Sequence, residues 1–303
     1  MKRPDTKVVH VAGSGHIGRP AGKINLKWLG IVLAIIILLG ASFLLTRPDQ
    51  DLHVIFFDVG QGDAVLISQG DTQVLIDGGP SSSTLLPSLG QTMAFYDRKI
   101  ELVILTHPHS DHLRGLIDVL ENYQVERVIC SGAKYDQPDY EEWWHIMEEK
   151  SIPVITASEG YRIGLGEETI ISILNPSAPG GDIDNDSLVL LLEYGDYSFL
   201  FTGDISATTE YELLSERAIP DIDVLKVAHH GSDSSTSEEF LLVARPEVAV
   251  ISVGENSYGH PRPEVIKKLE GSGVLIYRTD QEGNIEFITD GERLWLKTGG
   301  RSP

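Results

Sequence analysis

Hydrophobic and polar positions follow two regimes along the chain. Residues 28–45, WLGIVLAIIILLGASFLL, run for 18 residues without a charge. A run of that length predicts a membrane-spanning helix. From residue 52 onward the apolar segments are short, and glycine-bearing turns separate them. LHVIFFDV (52–59), DAVLIS (63–68) and TQVLID (72–77) read as strands rich in β-branched and aromatic residues. The turns GQGD (60–63) and QGD (69–71) are short and favour antiparallel pairing of these three.

ELVILT (101–106) predicts a further strand, followed by Leu113, Leu116, Ile117 and Leu120 on one helical face. VERVIC (125–130) reads as a strand, YEEWWHIMEEK (140–150) as a helix and IPVITA (152–157) as a strand. The second half continues the alternation. Strands are expected at 161–165, 168–174, 187–194, 197–202, 223–228 and 248–253, and helices near 208–216, 236–244 and 263–271. VLIYRT, GNIEFIT and ERLWLKT end the chain as short strands. This mixture implies two sheets with helices outside, and several α/β architectures satisfy it.

Charge adds an orientation. Before the long apolar run stand Lys2, Arg3, Lys7, Arg19, Lys23 and Lys27 against Asp5 alone; after it come Arg47, Asp49 and Asp51. The positive-inside rule then keeps the N-terminus cytoplasmic and the remainder outside the cell membrane. A cleaved signal peptide is the rival reading, but a 27-residue leader is long for one and no clear A-x-A site follows. The expected organisation is a basic leader (1–27), a single-pass anchor (28–46), a linker (47–51) and a catalytic domain (52–298). Removing the leader and anchor from the 24 bases and 45 acids leaves 18 bases against 44 acids, a formal charge of −26. Such a surface repels a long polyanion. The single cysteine, Cys130, excludes an internal disulfide framework and a thiolate zinc cluster, and its apolar neighbours imply a buried structural thiol.

The candidate chemistry begins at THPHSDHLRG (106–115). His107 and His109 leave an extended strand as alternate residues, so both imidazoles can reach one metal. Asp111 and His112 start the following helix and can approach a second. Imidazole with carboxylate suits zinc, iron or manganese. Asp204 closes YSFLFTGD, where a carboxylate can bridge two metals or cap a helix. His229 and His230 end another strand in DVLKVAHHGS, and His260 follows the next in SVGENSYGHP. Each of these three is a candidate ligand or hydrogen-bonding acid. His145, inside an aromatic helix, reads as neither.

In order along the chain, FFDVGQGDAVLI, VLIDGG, THPHSDH, NDSLVLLLEYGDYSFLFTGD, LKVAHHGS and SVGENSYGHP resemble the metallo-β-lactamase superfamily. More narrowly, they resemble the extracellular hydrolase domain of ComEC/Rec2-type competence proteins. The resemblance implies a four-layer αββα sandwich, and the apolar run 28–45 sets one transmembrane helix before it. It implies two divalent ions, zinc or manganese, at the strand ends. His107 and His109 match the ligands of one ion, Asp111 and His112 those of the other, and Asp204 the bridging carboxylate. Asn185-Asp186-Ser187 matches an Asn-x-Ser element where the wider family has a further histidine. His229, His230 and His260 stay unapportioned between direct ligands and supporting groups. The competence proteins also carry a multi-span channel, which one candidate span cannot form alone.

The expected activity is metal-dependent hydrolysis of a phosphodiester, with single-stranded DNA or an envelope polymer as substrate. Asp111 and Asp204 would orient the nucleophile, and His230 or His260 would protonate the leaving group. The alternatives are hydrolysis of phosphorylated envelope components and a non-catalytic surface module in DNA uptake or envelope assembly.

Overall fold

The structure is a computed structural model describing residues 26–45 and 49–300 apart from 167 and 179. The sequence divides into two units, residues 1–46 and 47–303. Within the first, the apolar run is one helix, α1 (Leu26–Leu45). Among the described residues no helix is long and apolar enough to cross a membrane; the side chains of α1 are described only at 27–38 and 40. The leader expected at 1–27 lies outside the described residues up to residue 25.

In the second unit the first half runs β1 (Leu52–Phe56), β2 (Val65–Gln69), β3 (Thr72–Ile76), α2 (Ser82–Thr92), β4 (Lys99–Ile100), β5 (Leu102–Leu105), α3 (Ser110–Asn122), β6 (Gln124–Val125), β7 (Val128–Cys130), α4 (Pro138–Glu149) and β8 (Val154–Thr156). The second half runs β9 (Arg162–Gly164), β10 (Ile170–Asn175), β11 (Val189–Tyr194), β12 (Tyr197–Phe201), α5 (Ala207–Ser215), β13 (Val224–Lys226), α6 (Glu238–Ala244), β14 (Val248–Ile251), α7 (Pro263–Gly271), β15 (Leu275–Arg278), α8 (Thr279–Glu282), β16 (Ile285–Thr289) and β17 (Leu294–Thr298). One mixed sheet has the order β17-β16-β1-β2-β3-β5-β7-β8, and a second has β15-β14-β13-β12-β11-β10-β9. As expected, β1, β2 and β3 pair antiparallel; β3, β5, β7 and β8 then pair parallel.

The alternation of side chains explains the layering. Val54 and Phe56 of β1 face Leu190, Phe199 and Phe201 of the other sheet, and Phe287 joins them between the sheets. Ile55 and Phe57 point the opposite way, onto Leu85 of α2, Leu116 of α3 and Trp143 of α4. Leu200 and Leu225 point outward in the second sheet, onto Leu213 of α5, Phe240 of α6 and Val265 of α7. Strands buried on both faces read as near-continuous apolar runs, which these do. The result is four layers, helix, sheet, sheet, helix. Strands β3, β5, β12 and β13 bring their C-terminal ends to the site.

Candidate metal centre

The side chains of the site arrive from strand ends and from the loops and helix start that follow them. His107 follows β5, and His109 precedes the first turn of α3 in extended backbone, with φ −63° and ψ 147°. Their rings meet edge to face, with His107 Nε2 3.1 Å from His109 Nδ1. Asp184 joins them, its Oδ1 3.0 Å from His109 Nδ1 and 3.8 Å from His107 Nε2. Asp111 and His112 open α3. His230 faces them from the end of β13, with Nε2 3.4 Å from Asp111 Oδ2. It gets there through a short 3-10 turn, Ala228–Gly231, in which His229 and His230 both take left-handed backbone, φ 49° and 53°. Two consecutive non-glycine residues in that region carry strain, which often accompanies function.

Asp204 lies between the two groups. Its Oδ2 is 3.9 Å from His107 Nε2, 3.5 Å from His112 Nε2 and 3.4 Å from His230 Nε2. Gly203 makes the turn that delivers it, with φ +52°, and a β-carbon there would lie 2.7 Å from Ser187 Cβ. Ser187 Oγ in turn accepts a hydrogen bond from Asp204 N at 3.2 Å.

Supporting partners fix the ring nitrogens. His112 Nδ1 faces Asp77 Oδ2 at 2.8 Å, and His230 Nδ1 faces the Ser252 carbonyl at 2.9 Å. Both partners accept, so both Nδ1 atoms carry hydrogen and both Nε2 atoms point into the site. Thr106 N and Oγ1 donate to Asp77 at 2.8 and 2.6 Å, holding that carboxylate in place. His112 Nε2, His230 Nε2, Asp204 Oδ1 and Asp63 Oδ1 are buried and make no hydrogen bond. Orphaned buried polar atoms are costly. The two Nε2 atoms converge on Asp204 Oδ2 at 3.5 and 3.4 Å, and imidazole with carboxylate at that spacing fits a divalent cation. Two ligand groups, His107-His109-Asp184 and Asp111-His112-His230, each gather atoms within 4.8 Å, with Asp204 between them.

Residues 57–255 match the metallo-beta-lactamase superfamily. The chain belongs to that superfamily. It is 32% identical over 78% of its length to ComE operon protein 3 of Bacillus subtilis (strain 168), and 30% identical over 84% to Recombination protein 2 of Haemophilus influenzae. Competence protein ComA of Neisseria gonorrhoeae is 30% identical over 83% of the chain. The chain spans about a third of the length of these relatives, 33%, 30% and 35% respectively. Among solved structures, the metallo-beta-lactamase fold protein YhfI from Bacillus subtilis superposes with a TM-score of 0.54 at 14% identity, covering 79% of this chain and all of that one. That likeness shows the fold.

Within the superfamily fold, the six residues His107, His109, Asp111, His112, Asp204 and His230 come together. His229 sits at the rim, half-buried, with Nε2 3.9 Å from Asp204 Oδ2. His260 lies one step further out, its ring 5.6 Å from that of His229, and belongs to neither ligand group. Three carboxylates that the sequence reading did not single out complete the centre: Asp184, Asp63 and Asp77. Asp63 and Asp77 end the stretches GQGD and VLID, and a carboxylate directly beside an apolar strand was the available signal. Asn185 does not face the imidazoles; its Oδ1 accepts from Ser206 N, Ser206 Oγ and Thr209 Oγ1.

Burial opposes protonation of His112, yet the carboxylates of Asp204 and Asp77 overcome it and hold the imidazole well above its ordinary pKa. His230 behaves likewise, raised against burial by Asp204 and Asp63. Burial pushes His107 well below its ordinary value, reinforced by His112. Burial would raise Asp63, but the Lys226 ammonium and His230 outweigh it and hold the carboxyl at about 2. Metal binding requires neutral imidazoles; in that state Asp63, Asp77, Asp111, Asp184 and Asp204 against Lys226 would leave a formal charge of −4, five negatives and one positive. Two divalent cations carry the opposite charge. A cleft of about 430 Å³ opens over the centre, with Arg114 and Tyr135 on one wall and His229, Tyr258 and His260 on the other.

Proposed function

We propose that this protein is a metal-dependent phosphodiesterase with a binuclear centre. The observation that carries the reading is Asp204 Oδ2, set 3.9 Å from His107 Nε2 of one ligand group and 3.5 and 3.4 Å from the unpartnered Nε2 atoms of His112 and His230 in the other. Two divalent cations held by His107, His109 and Asp184 and by Asp111, His112 and His230 would acidify a water and offset charge on a phosphoryl group. Zinc and manganese both suit this donor set.

His230 Nε2 is directed at Asp111 and Asp204, so proton delivery to the leaving group falls to His229 and His260, which line the cleft. Arg114, exposed and steered by Asp139 at 3.1 Å, would orient a phosphate at the cleft wall. The relatives named for competence and recombination favour DNA as the phosphodiester, and the acidic surface favours a short or single-stranded one. The full chain in detergent, loaded with Mn²⁺ or Zn²⁺, should cleave bis-p-nitrophenyl phosphate and single-stranded DNA, and His109→Ala should abolish turnover. Folded, metal-loaded protein that cleaves neither of these nor duplex DNA would defeat the reading.

The same proposal places the hydrolase outside the cell on an N-terminal anchor. Support comes from the uncharged run 28–45 and its basic leader. Protease added to intact cells should remove the large unit and spare the leader. Full protection, with the outer surface shown to be accessible, would overturn this placement.

A further inference from the structure

Lys226 is fully buried, yet nothing in the hydrolytic reading uses it. It ends β13 on the face shared with Val224, between the sheets, and its ammonium reaches the floor of the metal centre. There Nζ pairs with Asp63 Oδ2, donates to the Gly203 carbonyl at 3.1 Å and lies 3.7 Å from Asp204 Oδ1. The two oxygens of Asp204 are thereby divided. Oδ1 faces the ammonium, and Oδ2 alone faces the imidazoles of His107, His112, His229 and His230 at 3.4 to 3.9 Å. A free carboxylate has no reason to present one oxygen to both sides. Left to itself it would turn about its terminal torsion, which is soft, and offer both oxygens to one cation.

We propose that Lys226 is a positioning residue that holds Asp204 as a single-oxygen bridge, so that the centre takes a second ion. The inference rests on the binuclear reading above. It makes a counterintuitive demand. A buried cation beside two metal sites is repulsive to both, so on charge alone its removal should tighten metal binding. If its role is to aim Asp204, removal instead weakens the second ion and leaves the first nearly untouched. A scaffold role alone would weaken both together.

The test titrates the full chain in detergent with Mn²⁺ alone. Free ion is followed by room-temperature electron paramagnetic resonance, and the exchange-coupled dimanganese signal is read at low temperature. The variants are Lys226→Met and Lys226→Gln; the second keeps a polar group in the buried position and guards against misfolding of the first. In whichever variant folds, the expected result is a first ion bound as in the parent, a second weakened at least ~10-fold, as loss of a supporting partner typically does, and no coupled signal. A parent chain that binds two coupled ions, with variants that bind both as tightly or more tightly, overturns the inference and leaves the binuclear reading standing. A parent chain that binds only one overturns the binuclear reading and the inference with it.

Discussion

At the residue scale the site is a set of side chains whose chemistry is decided by their partners. Asp77 and Ser252 fix the hydrogen on Nδ1 of His112 and His230, and that alone turns both Nε2 atoms inward. Asp204 then becomes the group on which the rest depends, since its Oδ2 faces four imidazoles. Asp204→Ala should reduce bound metal below two ions per chain and turnover by at least ~100-fold, more than the loss of a supporting partner costs. The variant should still fold, because Lys226 keeps Asp63 as its partner. Metal analysis beside the bis-p-nitrophenyl phosphate rate checks this, and unchanged stoichiometry with unchanged turnover rules out a bridging role. The histidines were legible in the sequence because four metal-ligating residues in six positions are hard to explain otherwise. Asp184 was not. It lies in GGDIDNDS with two other acids, Asp182 and Asp186, and only the return of that loop onto His109 selects it.

At the element scale, hydrophobic period located most strands and helices to within a residue or two, and it failed where tertiary contacts overrode local preference. Helix α2, with its serines, Pro87 and Gly90, has weak intrinsic propensity; it forms because Leu85 and Leu89 bury against the first sheet and α3. VERVIC reads as one strand but splits in two, since Val125 pairs with Ile100 while Val128 to Cys130 pair with β5 and β8. The return of the C-terminal hairpin to β1 is a long-range pairing that no local pattern announces. It is fastened by His53 Nδ1 to Glu286 Oε1 at 2.8 Å. The Glu286 hydrogen bond raises His53 above 6.5, and the same bond lowers Glu286 below 4.5. The histidine's contribution is whole below 6.5 and fades as pH rises through its raised folded value; the glutamate's is whole above 4.5 and fades as pH falls through its lowered one. The pair therefore stabilises most between 4.5 and 6.5. Both side chains are partly solvated, so the effect is about 0.5 kcal/mol. Denaturant midpoints at about pH 5.5 and about pH 9, measured for the parent and His53→Gln, should show the parent losing that advantage at the higher pH. Equal differences at both values would remove the pair from the account of stability.

At the scale of the whole molecule, charge and site pull in opposite directions. The centre gathers carboxylates for cations, while residues 47–303 as a unit carry 44 acids against 18 bases. Nonspecific affinity for DNA comes mainly from phosphate neutralisation and counterion release, which need cations along a track. The bases nearest the centre do not make one. Arg114 is partnered by Asp139, and Lys226 is buried against Asp63 and Asp204. The cleft therefore has few phosphate contacts of its own, and on the proposed function bound metal would supply most of the attraction for a phosphodiester. Chelator-treated protein should bind a long duplex more weakly than micromolar at roughly 0.15 M salt, where long-range fields are screened beyond about 8 Å. Restoring Mn²⁺ should strengthen binding of a short single strand more than that of the duplex, because only a few phosphates can reach the centre. Fluorescence anisotropy with both probes, with and without metal, measures this directly. Submicromolar binding of the duplex by the metal-free protein would mean that a basic track assembles elsewhere on the surface, and that the molecule grips DNA independently of its metal centre.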